Sequence, residues 1–536
     1  MKSFAYFGKK SEHLCKLSCT KVNCFHENCK SLIKSSFRFL GFHVNPFWIH
    51  LAYFIIISFV GFLALKVSKP RTPPSLWPND LDIFFTSVSA ATVSSMSTVE
   101  MEAFSNTQLI IMTILMLVGG EVFTSMLELQ LERSKFPSQG LSYTTNSLEL
   151  APAAVSHDLA ENEKPADTDL ESNRNSSDSD SLKYASIKIL SYVVLGYLLV
   201  IHISGSILVA LYTYLAPSAR EVLTKKALQV QTFTLFTVAS TFANCGFVPT
   251  NENMIVFKKN SGLLLLLIPQ ILLGNTLYAP TVRFLIWVLQ KITKRVEYGY
   301  MLKNSREMGY THLMSSVHCW SLFATFMVFI LVQLVVFCSM EWNSQAMDGL
   351  NCFEKLVAAL FQVVNSRHSG ESVFDLSTIS PAILVLFVVM MYLPPYTSFV
   401  PMAIEEKEEE IKASGKKGRK FRGQAPSQFL LFSQLSYLVF FIILICIVER
   451  EKMKIDSLNF NVLNITMEVI SAYGNVGLSS GYSCEKRLKK DNWCKDEWYG
   501  FVGRWSNLGK FILIIVMFLG RLKKFFINGG KAWKLS

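Results

Sequence analysis

The sequence predicts an all-α membrane protein in which one unit, an apolar span, a re-entrant loop and a second span, occurs four times. Three observations predict it. The chain is 51% hydrophobic and only 17% charged over its 536 residues, against about 25% charged in soluble domains. Its apolar residues are clumped into runs near the roughly 20 residues that a spanning helix needs. Within each pair of runs lies a shorter apolar stretch that ends abruptly in Gly or Ser with Asn or Thr.

In order, the runs cover 47–67, 109–127, 187–214, 262–289, 322–337, 381–402, 429–448 and 511–519, eight spans in all. The last reaches spanning length only with Trp505 to Leu508 and the residues past Arg521. The first 40 residues are basic and lack an apolar core, so no cleavable signal peptide is expected. Lys2, Lys9, Lys10, Lys16, Lys21, Lys30, Lys34 and Arg38 outweigh Glu12 and Glu27 there, which sets the N-terminus in the cytoplasm. Eight spans return the C-terminus to the same side, in agreement with Lys523, Lys524, Lys531 and Lys534. The net charge of +12 therefore reads as topology, and no basic-aromatic platform for nucleic acid is visible. Cys15, Cys19, Cys24 and Cys29, with His13 and His26, lack the paired spacing of a zinc site and read as a reduced tail. Cys484 and Cys494 fall in an outside segment, where a disulfide and two free thiols are both open.

The resulting order is a cytoplasmic tail (1–45), repeat 1 (46–130, pore loop 83–101), an acidic Ser-rich cytoplasmic linker (131–183) and repeat 2 (184–290, pore loop 229–254). A basic linker (291–315), repeat 3 (316–404, pore loop 354–376), a charged linker (405–426), repeat 4 (427–527, pore loop 460–483) and a cytoplasmic C-terminus (528–536) follow. Residues 137–182 carry nine acids against Lys164 and Arg174, a composition that stays disordered. The acid–base run 405–422 reads as a solvated face. Asn175-Ser-Ser faces the cytoplasm, and Asn464-Ile-Thr opens a buried half-helix, so neither sequon is expected to carry a glycan.

The four loop stretches contain "ATVSSMSTVEM", "STFANCGFVPTNENM", "FQVVNSRHSGES" and "SAYGNVGLSSG". Taking Ser95, Gly246, Gly370 and Gly477 as equivalent points gives separations of 151, 124 and 107 residues, the longest holding the acidic linker. Irregular backbone at membrane depth survives only when buried in protein or lining water. Four such loops around one axis meet that condition together, giving pseudo-fourfold symmetry around a central pore. Their carbonyls then replace the water shell of a cation, and the half-helices aim negative C-terminal ends at it. Glu100, Glu102, Glu252 and Glu371 follow three of the breaks and would collect cations at the pore mouth.

These motifs, with "TVSSMSTVEMEAFSNTQL" and "MMYLPPYTSF", resemble the plant HKT (high-affinity potassium transporter) family of the Trk/Ktr/HKT superfamily, from about Pro46 to the C-terminus. The resemblance implies a potassium-channel-like fold and one selectivity-filter position per repeat: Ser95, Gly246, Gly370 and Gly477. Ser at the first position resembles the sodium-selective subfamily, with Na+ held at those four residues. It also implies a homodimer with one pore per chain, a plasma-membrane location, and sodium retrieval from the xylem in salt tolerance. A Na+/K+ symporter or a K+-permeable channel of the same fold is the alternative. No cofactor is implied beyond the transported ion.

Around the filter, Val93, Ser94, Asn244, Cys245, Asn365, Arg367, His368, Asn475 and Val476 read as supports, with Arg367 expected to bond loop carbonyls. Arg521 has two readings, a snorkelling arginine at the interface or, by the resemblance, a barrier to cations below the filter. Glu121 reads as a paired structural acid, and Pro394, Pro395 and Pro401 as a kink or an intramembrane gate. An enzyme reading has no phosphate loop, HExxH or GxSxG to stand on.

Overall fold

The computed structural model describes residues 46–73, 77–134, 168–305, 308–398, 434–487 and 494–523. The N-terminal tail with its cysteines, most of the acidic linker, the charged linker with Pro401, and the basic C-terminus lie outside the described residues. Every element that positions the site is helical. In repeat 1 these are α1 (Pro46–Val67), α2 (Asp80–Ala91), α3 (Asn106–Gly119) and α4 (Glu121–Ser134). Repeat 2 has α5 (Thr168–Leu215), α6 (Pro217–Lys225), α7 (Val230–Ala243), α8 (Ser261–Leu273) and α9 (Tyr278–Thr293), followed by the connecting helix α10 (Val296–Lys303). Repeat 3 has α11 (Ser316–Glu341), α12 (Cys352–Asn365) and α13 (Pro381–Tyr392). Repeat 4 has α14 (Gln434–Val448), α15 (Arg450–Ile455), α16 (Val462–Gly474) and α17 (Asn507–Arg521).

Three helices, α1, α5 and α11, are long and apolar enough to span a bilayer alone, and the bent pairs α3/α4 and α8/α9 bring the number to five among the described residues. Helices α13 and α14 run toward residues 399–433, outside the described set, and α17 has 15 residues. The helix pairs that cover the runs 109–127 and 262–289 are bent, by 51° and 81°. Glycines mark the turns. A Cβ on Gly119 would lie 2.0 Å from the Ala91 carbonyl oxygen, and one on Gly274 would lie 1.8 Å from that of Phe242. Gly520 meets Tyr473 in the same way, at 2.2 Å. In repeats 1, 2 and 4 the inner helix thus touches the end of its own pore helix backbone to backbone, which only a residue without Cβ permits. In repeat 3, α13 stops at Tyr392 ahead of Pro394 and Pro395, which cannot donate to a helix.

A second departure concerns the acidic linker. Disorder was expected through residue 182, yet α5 begins at Thr168 and runs for 48 residues.

The interior is built from the half-helices. Nearly all of α7 and most of α2, α12 and α16 are buried, while apolar residues on the spans such as Ile56, Phe59 and Val200 are more than half exposed. So wide an apolar exterior marks a lipid-facing surface. The repeats close on themselves. The inner helix of each packs on the pore helix of the next: α3 on α7, α8 on α12, α13 on α16, and α17 back on α2.

Candidate functional site

Each half-helix hands over to a loop that folds back inside the protein. Positive φ appears at Val93 (51°) and Ser95 (52°), Asn244 (56°) and Gly246 (86°), Gly370 (72°), and Asn475 (54°) and Gly477 (95°). The amides of Ser94, Cys245 and Val476 donate back to Ser89, Ser240 and Ser471 at 2.8, 2.9 and 3.0 Å. The third loop makes the same five-residue bond one position later, from Gly370 to Asn365 at 3.1 Å. Ser95, Gly246, Gly370 and Gly477 therefore occupy equivalent backbone positions.

The structure brings these four together. A Cβ on Gly246 would fall 1.6 Å from the Ser369 carbonyl oxygen and 3.2 Å from Ser95 Oγ. One on Gly370 would fall 2.1 Å from the Val476 carbonyl oxygen, and one on Gly477 would fall 2.1 Å from Ser95 Cβ and 2.8 Å from the Ser94 carbonyl oxygen. Ser95 alone places a side chain in this ring, at a φ that L residues adopt rarely. Ser94, Cys245, Ser369 and Val476 are 2% exposed or less. Among the described residues, no backbone or side-chain group donates to their carbonyls. Buried carbonyls normally have a donor; those of Ser369, Val476 and Ser94 face Gly246, Gly370 and Gly477 of the neighbouring loops.

Bonds within each repeat, and one between the fourth loop and the first, brace the ring. Asn475 Nδ2 donates to Ser94 Oγ at 2.7 Å and to the Met517 carbonyl at 3.2 Å. Asn244 Nδ2 reaches the Ile271 carbonyl at 3.2 Å, the matching bond in repeat 2. Asn365 accepts from the Glu371 amide at 3.2 Å and from Ser369 Oγ. Arg367 differs from expectation. Its guanidinium bonds the carbonyls of Pro394 at 2.6 Å and Pro395 at 3.4 Å, not the loop. Those carbonyls lie past the end of α13 at Tyr392, where that of Pro394 also accepts from the Thr397 amide at 3.1 Å. His368 is buried with its ring 5.7 Å from that of Phe326.

Above the ring opens a cavity of about 120 Å³ lined by all four repeats, including Ser95, Glu100, Glu252, Gly370 and Gly477. Glu100 accepts from Asn251 Nδ2 at 3.0 Å and from the Trp498 amide at 3.2 Å. Glu371, expected at the same mouth, is not there. It is fully buried behind the ring and accepts from Thr241 Oγ1 at 2.6 Å, because left-handed Gly370 turns the chain toward α7. Arg521 donates to the Gly119 carbonyl at 2.5 Å and lies 3.4 Å from Glu121 Oε2, over the Phe54 ring. Its charge is thus held at the α3/α4 bend, and Glu121 is its acid partner.

The family model described as TrkH, cation transport protein, matches residues 167–527. Cation transporter HKT1;3 of Oryza sativa subsp. japonica is 46% identical over 98% of both chains. Sodium transporter HKT1 of Arabidopsis thaliana is 52% identical over 88% of this chain and 92% of its own length. The chain belongs to the HKT family of cation transporters. It is a multi-pass membrane protein of all-α fold whose substrate is a cation. A crystal structure of the potassium transporter TrkH from Vibrio parahaemolyticus aligns with a TM-score of 0.47 and 14% identity, covering 90% of this chain and 84% of the other.

Three features of this HKT protein escaped sequence reasoning. Lys226 Nζ bonds Glu102 Oε1 at 2.6 Å and also Glu252 Oε2, so an ammonium already neutralises part of the mouth. Lys510 on α17 and Asp82 on α2 form a buried pair at 2.7 Å, a link from repeat 4 to repeat 1. Glu468 is buried within α16 and accepts from Ser479 Oγ. An acid inside an apolar half-helix was the available signal for Asp82 and Glu468; Lys226 gave none. Cys484 and Cys494 form a disulfide, with Cα atoms 5.9 Å apart. Asn464 Nδ2 donates to the Asn459 carbonyl at 2.8 Å inside the fold.

Proposed function

We propose that this HKT protein conducts Na+ selectively and passively through the ring of Ser95, Gly246, Gly370 and Gly477, which acts as its selectivity filter. The carrying observation is the set of buried carbonyls at Ser94, Cys245, Ser369 and Val476, which have no donor among the described residues. In three loops left-handed residues lie two apart (Val93 and Ser95, Asn244 and Gly246, Asn475 and Gly477), and in the third loop Gly370 alone is left-handed; four such turns around one axis exchange the water shell of an ion for protein oxygen. The half-helices add the negative ends of their dipoles, which favours a cation.

Sodium rather than potassium follows from Ser95. Its Cβ and hydroxyl project against the Gly477 and Gly246 positions, where the other three loops carry no side chain, and so narrow the ring against the larger ion. The name of the Arabidopsis relative, a sodium transporter, supports the same choice. Arg521, below the ring, is the barrier that inward ions pass, with its charge moderated by Glu121. The reading includes a plasma-membrane location with both termini in the cytoplasm, a homodimer with one pore per chain, and a role in sodium retrieval from the xylem and salt tolerance.

The test is electrophysiology of the purified protein in bilayers with Na+ or K+ as the sole cation. The wild type should carry Na+ current and little K+ current. Ser95→Gly should raise K+ conductance relative to Na+ by about tenfold, a difference of about 1.4 kcal/mol between the ions. Reversal potentials in mixed salts that do not move with this substitution reject Ser95 as the determinant. Flux of each ion that requires the other would establish the coupled symporter instead.

A further inference from the structure

At the end of α5 remote from its pore helix, a second cavity of about 720 Å³ opens between α5, α9 and α10. Its lining includes Leu182, Trp287, Lys291, Lys294, Arg295 and Lys303. All four cations are exposed, and none forms an ion pair with a described acid. Glu297 is the only acid between residues 291 and 305, against these four. The connecting segment is therefore strongly positive around a concave surface.

Large apolar groups stand beside the charges. Phe284 and Trp287 stack at 5.9 Å while 62% and 48% exposed, and Ile292 and Val296 are 73% and 71% exposed. Lys291 Nζ lies 5.9 Å over the Trp287 ring. Cations at the rim of an aromatic and aliphatic surface match the depth in a bilayer where headgroup meets acyl chain. A free phosphate would use only the charged half of this surface, and a soluble acidic peptide would leave the apolar half against lipid tails.

We propose that this pocket binds a phosphorylated anionic lipid of the cytoplasmic leaflet. Its headgroup phosphates sit among Lys291, Lys294, Arg295 and Lys303, and its acyl chains lie along Phe284, Trp287, Ile292 and Val296. Clustered basic side chains between membrane helices suit a multiply charged headgroup better than a zwitterionic one. The assignment to the cytoplasmic leaflet rests on the orientation proposed above. The binding itself is read without any current, so its failure is separable from failure of the filter.

The experiment uses the full chain in nanodiscs of phosphatidylcholine containing a tenth of phosphatidylinositol 4-phosphate, with retained lipid counted by native mass spectrometry. The wild type should retain the phosphoinositide over phosphatidylcholine. The triple variant K291Q/K294Q/R295Q should bind it about a hundredfold more weakly, and each single neutralisation about fivefold. Single variants keep the test valid if the triple variant does not fold, and K291R/K294R should bind as the wild type does. Equal retention by wild type and neutralised variants overturns the proposal. Failure of the wild type to retain the phosphoinositide, as expected if the acidic segment 135–167 of this chain fills the pocket, overturns it too. Soluble inositol 1,4-bisphosphate binding as tightly as the lipid overturns the role of the apolar surface.

Discussion

At the scale of single residues, function concentrates where local backbone rules are broken. Ser95 holds a positive φ that glycine takes at the equivalent positions, and it adds the only side chain to the ring. That position was legible because four motifs could be aligned by their breaks. Lys226 was not, since a lysine in an outer connection resembles any solvated charge. Its two bonds place an ammonium between Glu102 and Glu252. Lys226→Gln should therefore make the mouth more negative and raise inward Na+ current about twofold at low salt. The gain should fade toward 1 M salt, where the Debye length falls to about 3 Å. Single-channel currents over a salt series check this; a salt-independent gain would point to a change in the ring instead.

At the scale of elements, the sequence correctly marks where helices exist, because runs of apolar residues leave the backbone no satisfied alternative in lipid. It does not mark where they bend. Gly119 and Gly274 look like ordinary residues of apolar runs until the pore helices Ala91 and Phe242 end against them. Gly119→Ala or Gly274→Ala should cost most of the folded protein, as read by the monodisperse fraction after purification. Gly196→Ala on α5 has nothing within 4 Å of its new Cβ and should leave yield and current unchanged. The bend of α3/α4 also holds Arg521 beside Glu121. Arg521→Gln should raise inward Na+ current severalfold, whereas Glu121→Gln should lower it by leaving the guanidinium charge unmoderated. Equal unitary currents in both variants and the wild type would remove Arg521 from the permeation path.

At the scale of the whole molecule, stability depends on closing the circle of repeats. The last contact, α17 on α2, contains the buried pair of Lys510 and Asp82. Removing one partner of a buried pair typically costs about 3–5 kcal/mol, because the other charge is stranded. Asp82→Asn should lower the thermal unfolding midpoint of the purified protein markedly. Asp82→Asn with Lys510→Met should recover most of the loss. A double variant no better than the single one would mean that packing, not charge, holds the closure.

The sequence by itself determined the membrane class, the four-fold recurrence of the loop motif and the identity of the four ring positions. These follow from composition, period and local backbone preference, which act over a few residues at a time. Only the tertiary structure decided that Glu371 lies behind the ring and not at its mouth, that Arg367 braces the proline break, that Lys226 screens the outer carboxylates, and that the inner helices bend. Each of those outcomes depends on a partner more than 20 residues away in the chain, brought close only when inner helix and neighbouring pore helix pack around a common axis.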